Sequence, residues 1–386
     1  MSRIYLDYAA STPVDPRVLR AMLPYFSKKS GNPGSLHSFG QEAIAAVDAS
    51  RETIAKTIGA QFREIIFTGS ATEANNLALR GAVAAFKKTT GKTKPRVIVS
   101  AIEHESILET ARDLEQAGAE IIYVPVDERG IANRDAVLRY INERTAIVSI
   151  MYANNEIGAI QPISDIAAII AKFRHGIPGS FPLFHTDAAQ AFQYLDCNVH
   201  GLGVDLMTLS SHKMYGPKGA GALYIKEGHA LAPLTAGGGQ EFGMRSGTEN
   251  VPAIVGFAHA AQLAASLREK ESARIAILRD YFWAEIKKIV PEALLNGDTE
   301  NVLPNMLNIY FPGRRAEDML TKFDLAGVAA ASGSACRSRA LEASYVIEAL
   351  GHSKERAGAS IRFSLGRMTT KKEINVVLKI ITRETF

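Results

Sequence analysis

The sequence predicts an α/β fold: a mostly parallel central sheet with helices on both faces, plus a smaller α+β C-terminal domain. Three observations predict it. Short β-branched runs alternate with longer segments of helical period, the pattern of successive βαβ units. With 386 residues, 47% of them hydrophobic, the chain is too long for one comfortable core and long enough for two. Past about residue 260 the texture changes to a long charged helix and short strands.

The candidate strands are residues 64–68, 96–100, 121–124, 146–151, 182–186, 205–209 and 221–225. Between them, residues 74–87, 106–116 and 163–173 place apolar side chains at helical spacing and read as crossover helices. A helix over residues 262–289 and strands near 305–310 and 360–364 mark the second domain. The expected division is 15–260 for the large domain, with 1–14 and 261–386 forming the small one. Residues 175–182, rich in Gly and Pro, read as a surface loop, and the apolar stretch 252–267 as an interdomain helix.

Composition narrows the function. The net charge is +4 with acidic and basic residues interspersed, so no nucleic-acid partner is indicated. Two cysteines, Cys197 and Cys336, form no metal-ligand spacing and no disulfide framework. No apolar run reaches the roughly 18 residues a membrane span needs, and no leader is seen, so a soluble cytoplasmic protein is expected.

In open parallel sheets ligands bind beyond the carboxyl ends of the strands, so the residues following each strand carry the argument. They are polar: Gly69-Ser70-Ala71-Thr72-Glu73, Glu103-His104, Asn154-Asn155-Glu156, Asp187-Ala188-Ala189-Gln190 and Ser210-Ser211-His212-Lys213. Some have plain readings. Ser70 and Glu73 match a capping box, a reading compatible with an anion at the same helix start. His104 alone fits a hydrogen-bonded loop histidine, and Asn154-Asn155 could serve a turn.

Lys213 and Asp187 resist such readings. A lysine at a strand end beside two serines and a histidine suits a phosphorylated cofactor. An aspartate at a neighbouring strand end keeps a pyridine nitrogen protonated, which makes that ring an electron sink. Cys336 closes the small-residue run Ala331-Ser332-Gly333-Ser334-Ala335 and precedes Arg337 and Arg339. Positive charge there favours the thiolate.

At this point the sequence resembles the cysteine desulfurases of the fold-type I pyridoxal-phosphate enzymes, the nitrogen-fixation and housekeeping iron–sulfur assembly group. The matching stretches run through the chain, among them Tyr5-Leu6-Asp7-Tyr8, Gly31-Asn32-Pro33, Ala71-Thr72-Glu73, Asn154-Asn155-Glu156-Ile157-Gly158, Ser211-His212-Lys213, Gly243-Met244-Arg245-Ser246-Gly247-Thr248, Ser332-Gly333-Ser334-Ala335-Cys336 and Ile361-Arg362-Phe363-Ser364.

The resemblance implies a role for each residue. Lys213 would carry pyridoxal 5'-phosphate as a Schiff base, Asp187 hold its pyridinium, His104 stack on the ring and move protons, and Gln190 bind the ring oxygen. Ala71, Thr72, Ser210 and His212 would bind the phosphate. Thr248 would reach the phosphate of a partner subunit in a homodimer. Asn155, also against the cofactor, and Arg362 would hold the carboxylate of the substrate L-cysteine. Cys336 would take the sulfur as a persulfide, pass it to an acceptor or an iron–sulfur scaffold protein, and serve there as a transient cluster ligand.

Two departures stand out. Thr68 precedes Gly69 where relatives commonly have serine, which implies a small backbone change, and the chain stops at Phe386, whereas housekeeping members run on into a tail that helps dock the scaffold. A transaminase or selenocysteine lyase of the same fold is the nearest alternative. A non-catalytic sulfur carrier need not keep Lys213, Asp187, His104 and Arg362 together.

Overall fold

The computed structural model describes residues 3–174, 181–229, 231–333 and 343–384. Its strands in chain order are β1 (Ile4–Tyr5), β2 (Ile65–Thr68), β3 (Arg96–Ser100), β4 (Glu120–Val124), β5 (Thr145–Ser149), β6 (Leu183–Asp187), β7 (Leu206–Ser210), β8 (Gly221–Ile225), β9 (Leu294–Leu295), β10 (Met306–Tyr310), β11 (Val328–Ala329) and β12 (Ser360–Ser364). The large sheet has seven strands in the order β2-β8-β7-β6-β5-β3-β4. Only β8 runs against its neighbours; the pairings among β3 to β7 are parallel. The mostly parallel sheet expected from the sequence is therefore present.

Most of these strands are buried on both faces, which is why they read as apolar runs rather than alternating ones. Within each, successive side chains serve different cores. Ile98, Val148, Phe184 and Met207 join the larger cluster with the helices Ser38–Ile58 and Val251–Ile289. Val97, Ile147, Leu183 and Leu206 join the other with the helices Ala71–Thr90 and Glu105–Gln116.

Several boundaries correct the expectation. The run 146–151 contributes a strand only over Thr145–Ser149, and Ile150 and Met151 stay buried beyond it. The strand before Lys213 ends at Ser210, and Lys213 closes the 3-10 turn Ser211–Lys213 instead of the strand. The two helical stretches expected at 252–267 and 262–289 are one helix, Val251–Ile289, with Asn250 as its cap. The expected domain boundary at 260 falls inside that helix.

The C-terminal part forms a second sheet, β12-β10-β9. The chain's first residues return to it: β1 pairs with β11, and Asp7 bridges to Ser364. Among the described residues no helix is long and apolar enough to cross a membrane.

Candidate active site

Because β2, β3, β5, β6 and β7 point the same way, the segments after them meet at one sheet edge. They wall a cavity of about 190 Å³ with Ala71, Thr72, His104, Asn155, Asp187, Gln190, Ser210, His212, Lys213 and Arg362. That brings together every candidate site residue except Thr248 and Cys336. Thr248 lines separate hollows, one of them shared with Tyr25–Pro33 residues such as Lys29 and Asn32. Cys336 lies outside the described residues, as do positions 175–180 of the expected loop.

Lys213 is fixed by the turn that carries it. Its Nζ donates to the carbonyl oxygens of Ala9 (2.5 Å) and Ala10 (2.9 Å). Two residues on, Tyr215 has φ of 66°, a left-handed conformation that costs a non-glycine residue energy. Its amide donates to Thr12 Oγ1 (2.7 Å) and its hydroxyl accepts from the Arg367 amide (2.5 Å), so the turn is held from both sides.

Asp187 ends β6 with its carboxylate engaged on two sides. Oδ1 accepts from the Ala189 amide (2.8 Å) and Oδ2 from Asn75 Nδ2 (2.7 Å). His104 caps the helix Glu105–Gln116, its Nδ1 accepting from the Ser106 amide (3.1 Å). A backbone amide only donates, so Nδ1 is unprotonated and the neutral ring carries its proton on Nε2. Burial is the main cause that lowers the His104 pKa, against the opposing pull of Asp187. Burial likewise pushes His212 down to about 4, so it is neutral.

The first turn of Ala71–Thr90 divides the capping-box expectation. Ser70 Oγ does accept from the Glu73 amide (3.1 Å), but Glu73 Oε2 accepts from the Gly69 amide (2.6 Å) instead of Ser70, and its other oxygen accepts from Arg245 Nε (2.9 Å). Across from Ser70, the first residue of β8 is glycine for a steric reason: a Cβ on Gly221 would lie 2.6 Å from the Ser70 carbonyl carbon. The paired asparagines also divide. Asn154 is the turn residue, with Oδ1 accepting from the amides of Glu156 (2.8 Å) and Ile157 (3.0 Å), whereas Asn155 lines the cavity.

Arg362, from β12, reaches in from the second sheet. Nη2 donates to Asp7 Oδ1 (2.7 Å) and Nη1 to the Asn155 carbonyl (2.9 Å), while Nε finds no partner among the described residues. Gln190 Nε2 donates to Ala9 O (2.9 Å). Sequence reasoning missed Asn75, Ser106, Asp7 and the carbonyls of Ala9 and Ala10.

The model of the family "Aminotransferase class-V" matches residues 4–377. The chain belongs to that family. Family relatives include a protein named cysteine desulfurase IscS from Dictyoglomus turgidum, 45% identical over 98% of this chain and 94% of its own length. A Rickettsia rickettsii protein of the same name is 43% identical over 98% of this chain and 90% of its own. Among solved structures, one titled NifS-like protein superposes with a TM-score of 0.91 at 35% identity, covering 99% of this chain and 98% of that one. Another, titled SspA in complex with cysteine, gives 0.79 at 37% identity over 94% of this chain and 98% of its own.

Proposed function

We propose that this family member is a cysteine desulfurase that holds pyridoxal 5'-phosphate in the cavity beside Lys213 and transfers the sulfur of L-cysteine to Cys336. The observation that carries the reading is the convergence of Lys213, Asp187, His104 and Arg362 on one cavity. The residues present fit the cofactor. Ser210 Oγ and Asn155 Oδ1 are buried polar atoms without a partner among the described residues, and such atoms call for a ligand or water. The helix start at Ala71 and Thr72 offers amides to a phosphate, and Asp187 supplies the charge that a pyridinium needs.

When bound, the cofactor supplies an electron sink for the substrate's Cα. The protein's residues do the rest. Arg362 and Asn155 would hold the substrate carboxylate, Lys213 would take the Cα proton, and His104 would move protons within the cavity. The Cys336 thiolate attacks the substrate sulfur: an S–S bond forms, the substrate C–S bond breaks, and protonation of the carbon fragment gives alanine. A persulfide on Cys336 then awaits an acceptor or iron–sulfur scaffold.

The reading includes a homodimer in which Thr248 completes the partner's phosphate site. What supports it is a hollow joining Thr248 to the segment around Tyr25 and Asn32, flanked in sequence by exposed Leu23, Phe26, Leu36 and Phe39. Large apolar side chains left in water mark interaction surfaces. A reducing, cytoplasmic setting agrees with Cys197, buried and unpaired.

Absorbance and product analysis test this reading. The purified protein should be yellow, Lys213→Ala should lose the cofactor band, and Cys336→Ser should keep the band while losing alanine formation from cysteine. Undiminished alanine without Cys336, or a keto acid as product, overturns the assignment in favour of a transaminase.

A further inference from the structure

We infer that Asn75 and Ser106 form a positioning relay that joins Asp187 to His104 and holds the His104 imidazole neutral, with its proton on Nε2. This deepens the reading of Asp187 and His104 given above and rests on it.

Asn75 is fully buried in the helix Ala71–Thr90. Its Nδ2 donates to Asp187 Oδ2 (2.7 Å) and to Ser106 Oγ (2.8 Å). The carboxylate can only accept, so the nitrogen and not the oxygen of Asn75 must face it. An amide NH2 has two hydrogens and accepts nothing, so both are spent and the direction of both bonds is fixed. Ser106 Oγ, having accepted from Asn75, keeps one hydrogen to give, and His104 Nδ1 lies 2.9 Å away. The same Nδ1 accepts from the Ser106 amide at 3.1 Å. Two donors aimed at Nδ1 leave no place for a proton there.

Protonating His104 therefore requires the Ser106 hydroxyl to turn, against the orientation Asn75 imposes. Other groups act on the ring from every side. Asp187 from β6 and Glu105 on its own helix favour the charged form, while Lys213 opposes it. His212 and Arg362 share the cavity. Burial, the largest influence, acts in the relay's direction. A ring kept neutral in this way presents Nε2–H to the cavity as a hydrogen-bond donor.

The test is an NMR titration of the holoenzyme labelled at its histidine ring nitrogens, with His104 assigned by the signal lost in His104→Gln. In the unmodified protein Nδ1 should be unprotonated and Nε2 protonated at neutral pH. Asn75→Ala and Ser106→Ala should each raise the His104 pKa by roughly one pH unit, the size of one hydrogen bond to the neutral ring. The double variant should show no further rise, because both act through one hydroxyl. An unmoved pKa, a proton on Nδ1, or increments that add overturn the relay. Should Asn75→Ala fail to fold, Ser106→Ala alone carries the test. Loss of the cofactor band in the unmodified protein would instead overturn the proposed function, while the His104 signals still report on the relay.

Discussion

Two arginines are buried among the described residues, and they are buried differently. Arg51, 3% exposed, is held by a two-point ion pair, although its Nε finds no partner among the described residues. It gives Nη1 and Nη2 to the two oxygens of Glu241 (2.6 and 2.8 Å) and Nη1 also to the Ile65 carbonyl (2.6 Å). Its guanidinium carbon sits 4.8 Å from the Phe67 ring centre and 4.9 Å from that of Phe242. Glu241 and Phe242 hold left-handed φ angles of 49° and 57° to make this cage. Arg362, 1% exposed, gives one bond to Asp7 and one to the Asn155 carbonyl, and its Nε, like that of Arg51, finds no partner among the described residues. The contrast teaches that neither burial of the charge nor an unpartnered Nε sets Arg362 apart; a carboxylate met at one point only, on the wall of a cavity, does.

The largest effect is expected at Arg51. Arg51→Met leaves the Glu241 carboxylate buried without its partner and should cost about 3–5 kcal/mol, read by urea unfolding, while the folded fraction keeps its KM for cysteine. A stable variant with a raised KM would break the contrast. Arg362→Gln should do the reverse. KM should rise about 10- to 100-fold, the worth of hydrogen bonds to a charged group, with the cofactor band intact and a smaller loss of stability.

The smallest effect concerns another buried charge-bearing group, Glu103, fully buried beside His104. Burial pushes its carboxyl up from 4.5 to about 8. Folded chains therefore keep this proton where unfolded chains have lost it, and the contribution to stability declines as pH rises from 4.5 to about 8. Glu103→Gln keeps an acceptor for the Ser100 hydroxyl (2.6 Å) and the Met151 amide (2.7 Å). Its melting temperature should fall less steeply across that window; an unchanged slope would show Glu103 to be ionised in the fold.

Lys213, Asp187 and His104 were legible because each follows a strand whose apolar run ends abruptly, and chain order alone brings such points to one edge. Asn75 was not. Its partner Asp187 is 112 residues away, and no sequence spacing records such a bond. A faint signal existed: Asn75 falls on the same helical stripe as Leu79, Ala82 and Phe86, all buried, and a polar residue on an apolar stripe asks for a partner. The overextended strand at 146–151 failed for a related reason. Ile150 and Met151 are apolar because they pack against the cavity's surroundings, and apolarity alone does not say when pairing stops.

The Lys213 amine rests on the carbonyls of Ala9 and Ala10, and the Ala9 amide in turn donates to Ser364 Oγ (2.9 Å) across 355 residues. Residues made among the earliest thus find their places only against a strand made near the end. Closing so wide a loop is slow, so the seat of an amine midway along the chain is braced by residues from its two far ends.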